Sequence, residues 1–320
     1  MNTAPTITEN DRTSAGSANN YVLMTAAYNE GARIEDTIQS VLAQTVLPDR
    51  WVIVSDGSTD QTDEIVQKYE REHQFIRFLR LSRSPGHSFR SKVVALHAGC
   101  RVLEGLQFEF IGNIDADITL EPTYFEDLMD RFRRNPKLGL AGGFVREPVN
   151  GEFRDRKTNR THSVAHAAQL VRRDCYAAIG GYKVLEHGGE DWHAQISAEM
   201  NGWQAQAFPE LPIFHHRETG RGSNLFRASF RLGQLDYSFG SDPLFEVFKC
   251  FLRFPSHPFV LGGLLRLAGF LWSQFRREQR SVSPEFIAFL RSKQKARVTL
   301  AAVRNAPDES LSQRVRHRGV

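Results

Sequence analysis

Apolar residues in the first third of the chain alternate between two spacings. Tyr21-Val22-Leu23-Met24-Thr25-Ala26-Ala27 is a short, nearly unbroken apolar run of the kind that buried parallel strands show. Ile34, Ile38, Val41 and Leu42 then recur at helical spacing, and that helix runs out near Gln44, before Pro48. Trp51–Ser55 reads as a second strand. The helix after it turns Ile65, Val66 and Tyr69 inward, with Thr59 or Asp60 as its cap. Phe75–Leu81 is a third strand, Ser84-Pro85-Gly86-His87 a loop, and Lys92–Leu103 a helix. The fourth strand begins at Phe108 and ends abruptly in Asp115-Ala116-Asp117. Four strand–helix alternations with short connections predict an α/β fold, a doubly wound and mostly parallel sheet flanked by helices. Further on, Glu190 to Asn201 reads as a helix closed by Gly202, and Pro212–His216 as a strand.

The 320 residues suit one large domain with an extension. Residues 1–20 are rich in Asn, Thr, Ser and Ala, and predict a disordered lead-in rather than a signal peptide. Three widely separated cysteines, Cys100, Cys175 and Cys250, argue against structural zinc and for a reducing, cytoplasmic setting. The net charge of +4 is mild, with arginines crowded into the last third. That basic charge is compatible with nucleic acid or an anionic membrane. No nucleic-acid-binding motif accompanies it, so nucleic acid is not an expected partner.

Polar groups sit where the predicted strands end: Tyr28-Asn29-Glu30, then Asp56, then Asp115 and Asp117. Open α/β sheets bind ligands at that edge. An aromatic to stack, a carboxylate for a base edge and a pair of hard oxygen donors together describe a nucleotide-diphosphate site with Mg²⁺ or Mn²⁺. Taken singly, Tyr28 also reads as a packed loop aromatic and Asp56 as a turn residue. Their joint order is what carries the reading. No Gly-x-Gly-x-x-Gly follows the first strand and no Gly-x-x-x-x-Gly-Lys-Ser/Thr occurs, which disfavours dinucleotide and P-loop enzymes.

With these residues the chain resembles glycosyltransferase family 2, the inverting group with the GT-A fold. The matching stretches are Ala27-Tyr28-Asn29-Glu30, Ser40 to Thr45, Val54 to Asp60 and Asp115-Ala116-Asp117, then Gly180-Gly181-Tyr182 and Gly189-Glu190-Asp191-Trp192. The resemblance implies a nucleotide-sugar donor (UDP-, GDP- or dTDP-linked) held by Ala27, Tyr28, Glu30, Asp56, Lys92, Asp115 and Glu190. It places the divalent metal on Asp115 and Asp117, with His215 or His216 as a further ligand. Asp191 would be the base that deprotonates an acceptor hydroxyl, and the acceptor a lipid-linked or polysaccharide intermediate. Residues 21–145 would then bind the donor and 146–225 the acceptor. A sugar nucleotidyltransferase would need a Gly-rich loop after Met24, which is missing. A non-catalytic nucleotide-sugar-binding protein would not need Asp56, Asp117 and Asp191 together.

Residues 226–300 predict an amphipathic helical extension, and 301–320 a polar tail. Leu244 to Leu252 and Phe259 to Trp272 are apolar, yet the second run is short for a membrane span and has Arg266 near its middle. Lys249, Arg253, Arg276, Arg277 and Arg280 frame both runs. The pattern predicts a peripheral attachment to an anionic membrane, on the inner face of the cell membrane, that high salt would largely release. Packing of these helices as protein core is the competing expectation.

Overall fold

A computed structural model of the chain describes residues 20–82, 89–217, 225–252 and 260–304. The expected lead-in, the loop at residues 84–87 and most of the polar tail lie outside the described residues. The chain divides into two compact units, one of residues 1–184 and 190–218, the other of residues 185–189 and 219–320.

The larger unit begins as the hydrophobic pattern predicts. Strand β1 (Tyr21–Ala27) leads to helix α1 (Ile34–Leu42), β2 (Arg50–Ser55), α2 (Thr62–Glu72), β3 (Ile76–Arg80), α3 (Phe89–Val102) and β4 (Phe110–Ile114). These four strands are parallel, in the spatial order β3-β2-β1-β4. Alternate residues of one strand serve opposite faces. Tyr21, Leu23, Trp51, Ile53 and Phe110 pack under α1, α2 and α4 (Tyr124–Arg134). Val22, Met24, Val52, Val54 and Ile111 pack under α3, with α5 (Arg173–Ala178) and α6 (Glu190–Met200) on that same face. The sheet is wound on both sides. Thr25, buried mid-strand, donates its Oγ1 hydrogen to the Ile114 carbonyl at 2.8 Å, and Trp51 Nε1 donates to Thr25 Oγ1 at 3.0 Å. Both buried polar side chains therefore have the partner that burial demands.

Beyond β4 the sheet becomes mixed. It adds β8 (Ala168–Arg172), β6 (Leu138–Val149), β9 (Gln204–His215) and the three-residue β5 (Ile118–Leu120), while β7 (Glu152–Asp155) pairs with β6. The β4–β8, β6–β8, β6–β7 and β5–β9 pairs are antiparallel and β6–β9 is parallel. Antiparallel neighbours need no helical crossover, which is why the strand–helix alternation fades from the sequence here.

The smaller unit is helical: α7 (Leu225–Ser238), α8 (Pro243–Leu252), α9 (Leu261–Phe275) and α10 (Pro284–Arg304). Helices α7 and α9 touch backbone to backbone, because a Cβ on Gly233 would lie 1.8 Å from the Arg266 carbonyl oxygen. Their interior is ionic. Arg266 donates from Nε and Nη2 to Asp236 Oδ2 at 2.7 and 2.6 Å, while Lys249 reaches Asp236 Oδ1 at 2.8 Å and Glu246 Oε2 at 2.6 Å. Truncating one member strands a buried charge, so Arg266→Met is expected to cost about 3–5 kcal/mol. A melting midpoint lowered by roughly 5–10 °C is the expected reading. A shift of a degree or two would show that the network contributes nothing to stability.

Candidate active site

Because β2, β1 and β4 are parallel neighbours, their C-terminal ends share one edge of the sheet. Strand order reverses at β1, with β2 on one side and β4 on the other, and such a switch point opens a crevice. A cavity of about 580 Å³ lies there, lined by Ala27, Tyr28, Glu30, Asp56, Lys92, Asp115, Asp117, His215 and Arg217, among others. The loop after β1 is pinned to the loop after β2. Asn29, in the left-handed region at φ 52°, accepts from the Thr59 amide at 2.8 Å, and the Glu30 amide donates to Thr62 Oγ1 at 2.8 Å. Asp60, not Thr59, serves the start of α2, accepting from the Thr62 amide at 3.0 Å and from the Gly31 amide at 2.9 Å.

Charges alternate across the cavity. Lys92 Nζ donates to Asp115 Oδ1 at 2.6 Å. Burial disfavours the lysine's charge, but Asp115, Glu190 and Asp191 outweigh it and hold its pKa above the ordinary value. Asp115 is itself pushed up by burial, against the pull of Lys92. Asp117 is buried and nonetheless held below the usual carboxylate range, by a hydrogen bond from His215 and by the charges of His215 and Arg217. Its Oδ2 lies 3.3 Å from His215 Nε2 and 3.4 Å from Arg217 Nε. Arg217 also pairs with Glu30, whose carboxyl is pushed up to about 7 by burial and by Asp117. Asp117 and His215 thus present an oxygen and a nitrogen donor to one space.

The sequence left two adjacent histidines open, and strand alternation separates them. His215 faces Asp117, whereas His216 turns away, its Nε2 2.9 Å from Thr119 Oγ1 and its ring edge-on to Phe153 at 5.4 Å. A closed metal cage built from protein alone is not what the site offers: among the described residues no group of three or more His, Cys, Asp or Glu is poised to hold a metal ion. Two protein donors and an open side match how Mg²⁺ and Mn²⁺ are held when substrate phosphates complete the shell. The donor set fits the expected cation.

The Glycosyl transferase family 2 model matches residues 23–186, which run from β1 through the segments that follow β1, β2 and β4 up to the turn before α6. The chain belongs to glycosyl transferase family 2. The poly-beta-1,6-N-acetyl-D-glucosamine synthases of Staphylococcus epidermidis and of Staphylococcus aureus strain COL are each 31% identical over 118 residues, which is 37% of this chain and 26% of theirs. The matched stretch thus spans about a quarter of those relatives' length. Among solved structures, the mannosyltransferase PcManGT from Pyrobaculum calidifontis, in complex with GDP-Man and Mn²⁺, superposes with a TM-score of 0.51 at 15% identity, over 89% of this chain and 80% of that one. That is a likeness of fold, the GT-A arrangement expected from the sequence.

Within this family 2 protein, Glu190 and Asp191 open α6 and are not part of the cavity wall. The turn before them needs glycine, since Gly188 and Gly189 both adopt left-handed backbone, φ 81° and 88°. Asp191 is half-buried, and its Oδ1 accepts from the Trp192 amide at 2.7 Å. Burial and the adjacent Glu190 push its carboxyl up to about 6, against the lowering effect of Lys92. The Gly180-Gly181-Tyr182 stretch has a structural task. Tyr182 Oη donates to Asn113 Oδ1 at 2.9 Å and accepts from Gln169 Nε2 at 2.7 Å, which braces β4 two residues before Asp115. Ser91 on the cavity wall and Glu147, whose Oε1 is 3.7 Å from His215 Nδ1, carry no sequence signal of their own. The loop at residues 219–223 lies outside the described residues.

Proposed function

We propose that this chain transfers one sugar from a nucleotide-diphospho-sugar to a hydroxyl of a lipid-linked or glycan acceptor, with inversion at the anomeric carbon. The observation that carries the reading is the convergence of Tyr28, Asp56, Lys92, Asp115, Asp117, His215 and Arg217 on one cavity of about 580 Å³, a size suited to a nucleotide and a sugar. Tyr28 offers a face to the nucleobase and Asp56 accepts from a ring N–H, while Ala27 admits the nucleoside closely. Glu30 and Asp115 accept from sugar hydroxyls, and Glu190 supports the donor from beside Asp191. Lys92 and Arg217 bring fixed positive charge to the diphosphate. Asp117 and His215, with Asp115 behind them, would hold Mg²⁺ or Mn²⁺. The cation supplies charge neutralisation for the departing diphosphate.

Asp191 takes the acceptor's proton. The freed oxygen lone pair forms the new bond to the anomeric carbon as the bond from that carbon to the diphosphate oxygen breaks, and the nucleoside diphosphate leaves with those electrons. A carboxyl with a pKa of about 6 is ionised at neutral pH yet more basic than an ordinary aspartate. Kinship with the poly-beta-1,6-N-acetyl-D-glucosamine synthases favours a glycan acceptor. The mannosyltransferase of like fold, solved with GDP-Man and Mn²⁺, favours a diphosphate-linked donor held with a divalent cation. The rival reading, a nucleotidyltransferase, gains nothing from the structure, since β1 passes directly into Tyr28 without a Gly-rich phosphate loop.

A thermal-shift panel of UDP-, GDP- and dTDP-sugars, each with Mn²⁺, Mg²⁺ or chelator, tests the proposal. One nucleotide class should raise the melting midpoint by several degrees, and only with the cation. A flat response across the panel would overturn it. On the same assay, His215→Ala should weaken Mn²⁺-dependent nucleotide binding about 10-fold or more, a scale typical of lost metal-site support, and His216→Ala should leave it unchanged. Equal effects of the two substitutions would remove His215 from the metal site.

A further inference from the structure

Helices α8 and α9 are amphipathic the wrong way round for water. On α8, the exposed residues are Leu244, Val247, Phe248, Phe251 and Leu252, spaced i, i+3, i+4, i+7 and i+8, with Leu244 82% exposed. The buried residues of that helix are Glu246, at 0% exposure, and Cys250. On α9, Leu261, Leu264, Leu271, Trp272 and Phe275 form the exposed stripe, with Phe275 83% exposed. Its buried side holds Gly263, Arg266, Gly269 and Ser273 alongside Phe270. Asp236, Glu246, Lys249 and Arg266 face one another inside this unit, and many of its large apolar side chains face outward. Close glycine contacts and paired charges inside, with Leu and Phe outside, are how helices pack where the surroundings are lipid.

The sequence pattern put Lys249 in a basic frame around the apolar runs and Arg266 in the middle of the second run. Both are turned inward onto Asp236 and Glu246. Those two charges are spent inside the unit, which leaves the exposed apolar stripes, beside Arg276 and Arg277, to meet a membrane. Charge still favours a particular bilayer. Residues 225–304 contain thirteen Lys and Arg against five Asp and Glu, a net of +8 where the whole chain carries +4. Arg276 sits over the Trp272 ring at 5.8 Å, at the end of α9, the aromatic-plus-cation pairing that suits a headgroup boundary. Depth is limited by length. Helices of 10 and 15 residues reach about 15 and 22 Å, short of the roughly 30 Å hydrocarbon core, and no helix among the described residues is long and apolar enough to cross a membrane.

We propose that α8 and α9 form a monotopic anchor, their outward Leu and Phe side chains seated among the acyl chains of one leaflet of an anionic bilayer, with Trp272 at the top of those chains beside the headgroups. The anchor is independent of the donor chemistry, and nucleotide binding in solution tests the two apart. The experiment is flotation of the full chain with vesicles of about 30% phosphatidylglycerol in phosphatidylcholine, and with phosphatidylcholine alone. It is paired with quenching of Trp272 by lipids brominated on their acyl chains, with Trp272→Phe supplying the background of the other tryptophans. The full chain should float, preferring the anionic vesicles, and at least half should stay bound in 1 M NaCl. Acyl bromines should quench the Trp272 signal at least twofold. The triple variant Phe251→Glu, Leu271→Glu, Phe275→Glu changes exposed positions only. It should lose at least tenfold in lipid-bound fraction with its circular dichroism unchanged. Should that variant misfold, quenching of the wild-type chain decides alone. Absence of flotation, or flotation without acyl quenching, overturns the anchor. So does a lipid-independent dimer that the triple variant abolishes, since a second copy would then be what covers the face.

Discussion

Asp191→Asn is expected to bind nucleotide-sugar within a few-fold of wild type and to lower kcat about 10²–10⁴-fold, the usual worth of a positioned general base. The amide keeps the shape and the hydrogen bond from the Trp192 amide, and loses only the capacity to accept a proton. A second readout separates catalysis from helix capping. The Asp191 carboxyl is held at about 6 by burial and by Glu190, above its ordinary 3.8. Between those values the folded chain binds more protons than the unfolded one, so this group's contribution to stability declines as pH rises from about 4 to about 6. At neutral pH the ionised carboxylate therefore costs on the order of 1–3 kcal/mol. The amide removes that cost, so the variant should melt higher than wild type at pH 7.5 while turning over far more slowly. A helix-capping aspartate behaves in the opposite way, its loss lowering the melting point and sparing kcat. The wild-type kcat/KM should fall about tenfold per pH unit below about pH 6, and the residual activity of the amide variant should lack that limb. Turnover within a few-fold of wild type would leave Asp191 without its assigned role.

The first half of the fold is legible in the sequence because local pattern and tertiary context agree there. In β1 and β2 both faces of each strand are buried, so the apolar runs are continuous and mark the strand ends to within a residue. The cavity follows from those ends, since Tyr28, Asp56 and Asp115 each come directly after a parallel strand. What the sequence could not resolve depends on contacts distant along the chain. His215 and His216 are equivalent by residue type, and only the register of β9 against β5, which sets Ile118 opposite His215, gives each a face. Arg217 reads as one more residue of a basic loop, until it is seen pairing with Glu30, 187 positions earlier. In the helical unit the pattern was visible and its sense was not. Helical spacing tells that α8 and α9 have an apolar face, but which face turns inward is decided by Asp236 on α7, which draws Arg266 and Lys249 to it.

Asp117→Ala is expected to abolish the cation dependence of donor binding while the protein stays folded. In the sequence Asp117 reads as a surface carboxylate at a strand end. The structure instead buries it, 8% exposed, between His215, Arg217 and the carboxyl of Glu30. Two effects on stability then oppose each other. Alanine removes a favourable contact with His215, and it also relieves the repulsion that helps push Glu30 up to about 7. The melting midpoint should therefore move by only a few degrees. Binding has no such compensation, because among the described residues the carboxylates beside Asp117 are already paired. Asp115 is engaged by Lys92 at 2.6 Å, and Glu30 by Arg217. Loss of the main anionic donor should weaken nucleoside-diphosphate binding in Mn²⁺ on the order of 100-fold, about 2.7 kcal/mol, down to the affinity seen with chelator. Calorimetric titration of wild type and variant, each with Mn²⁺ and with chelator, gives four dissociation constants. The wild-type pair should differ strongly and the variant pair should coincide. A variant that keeps the full Mn²⁺ enhancement would place the cation elsewhere, and would take from the site the feature that joins its sheet edge to diphosphate chemistry.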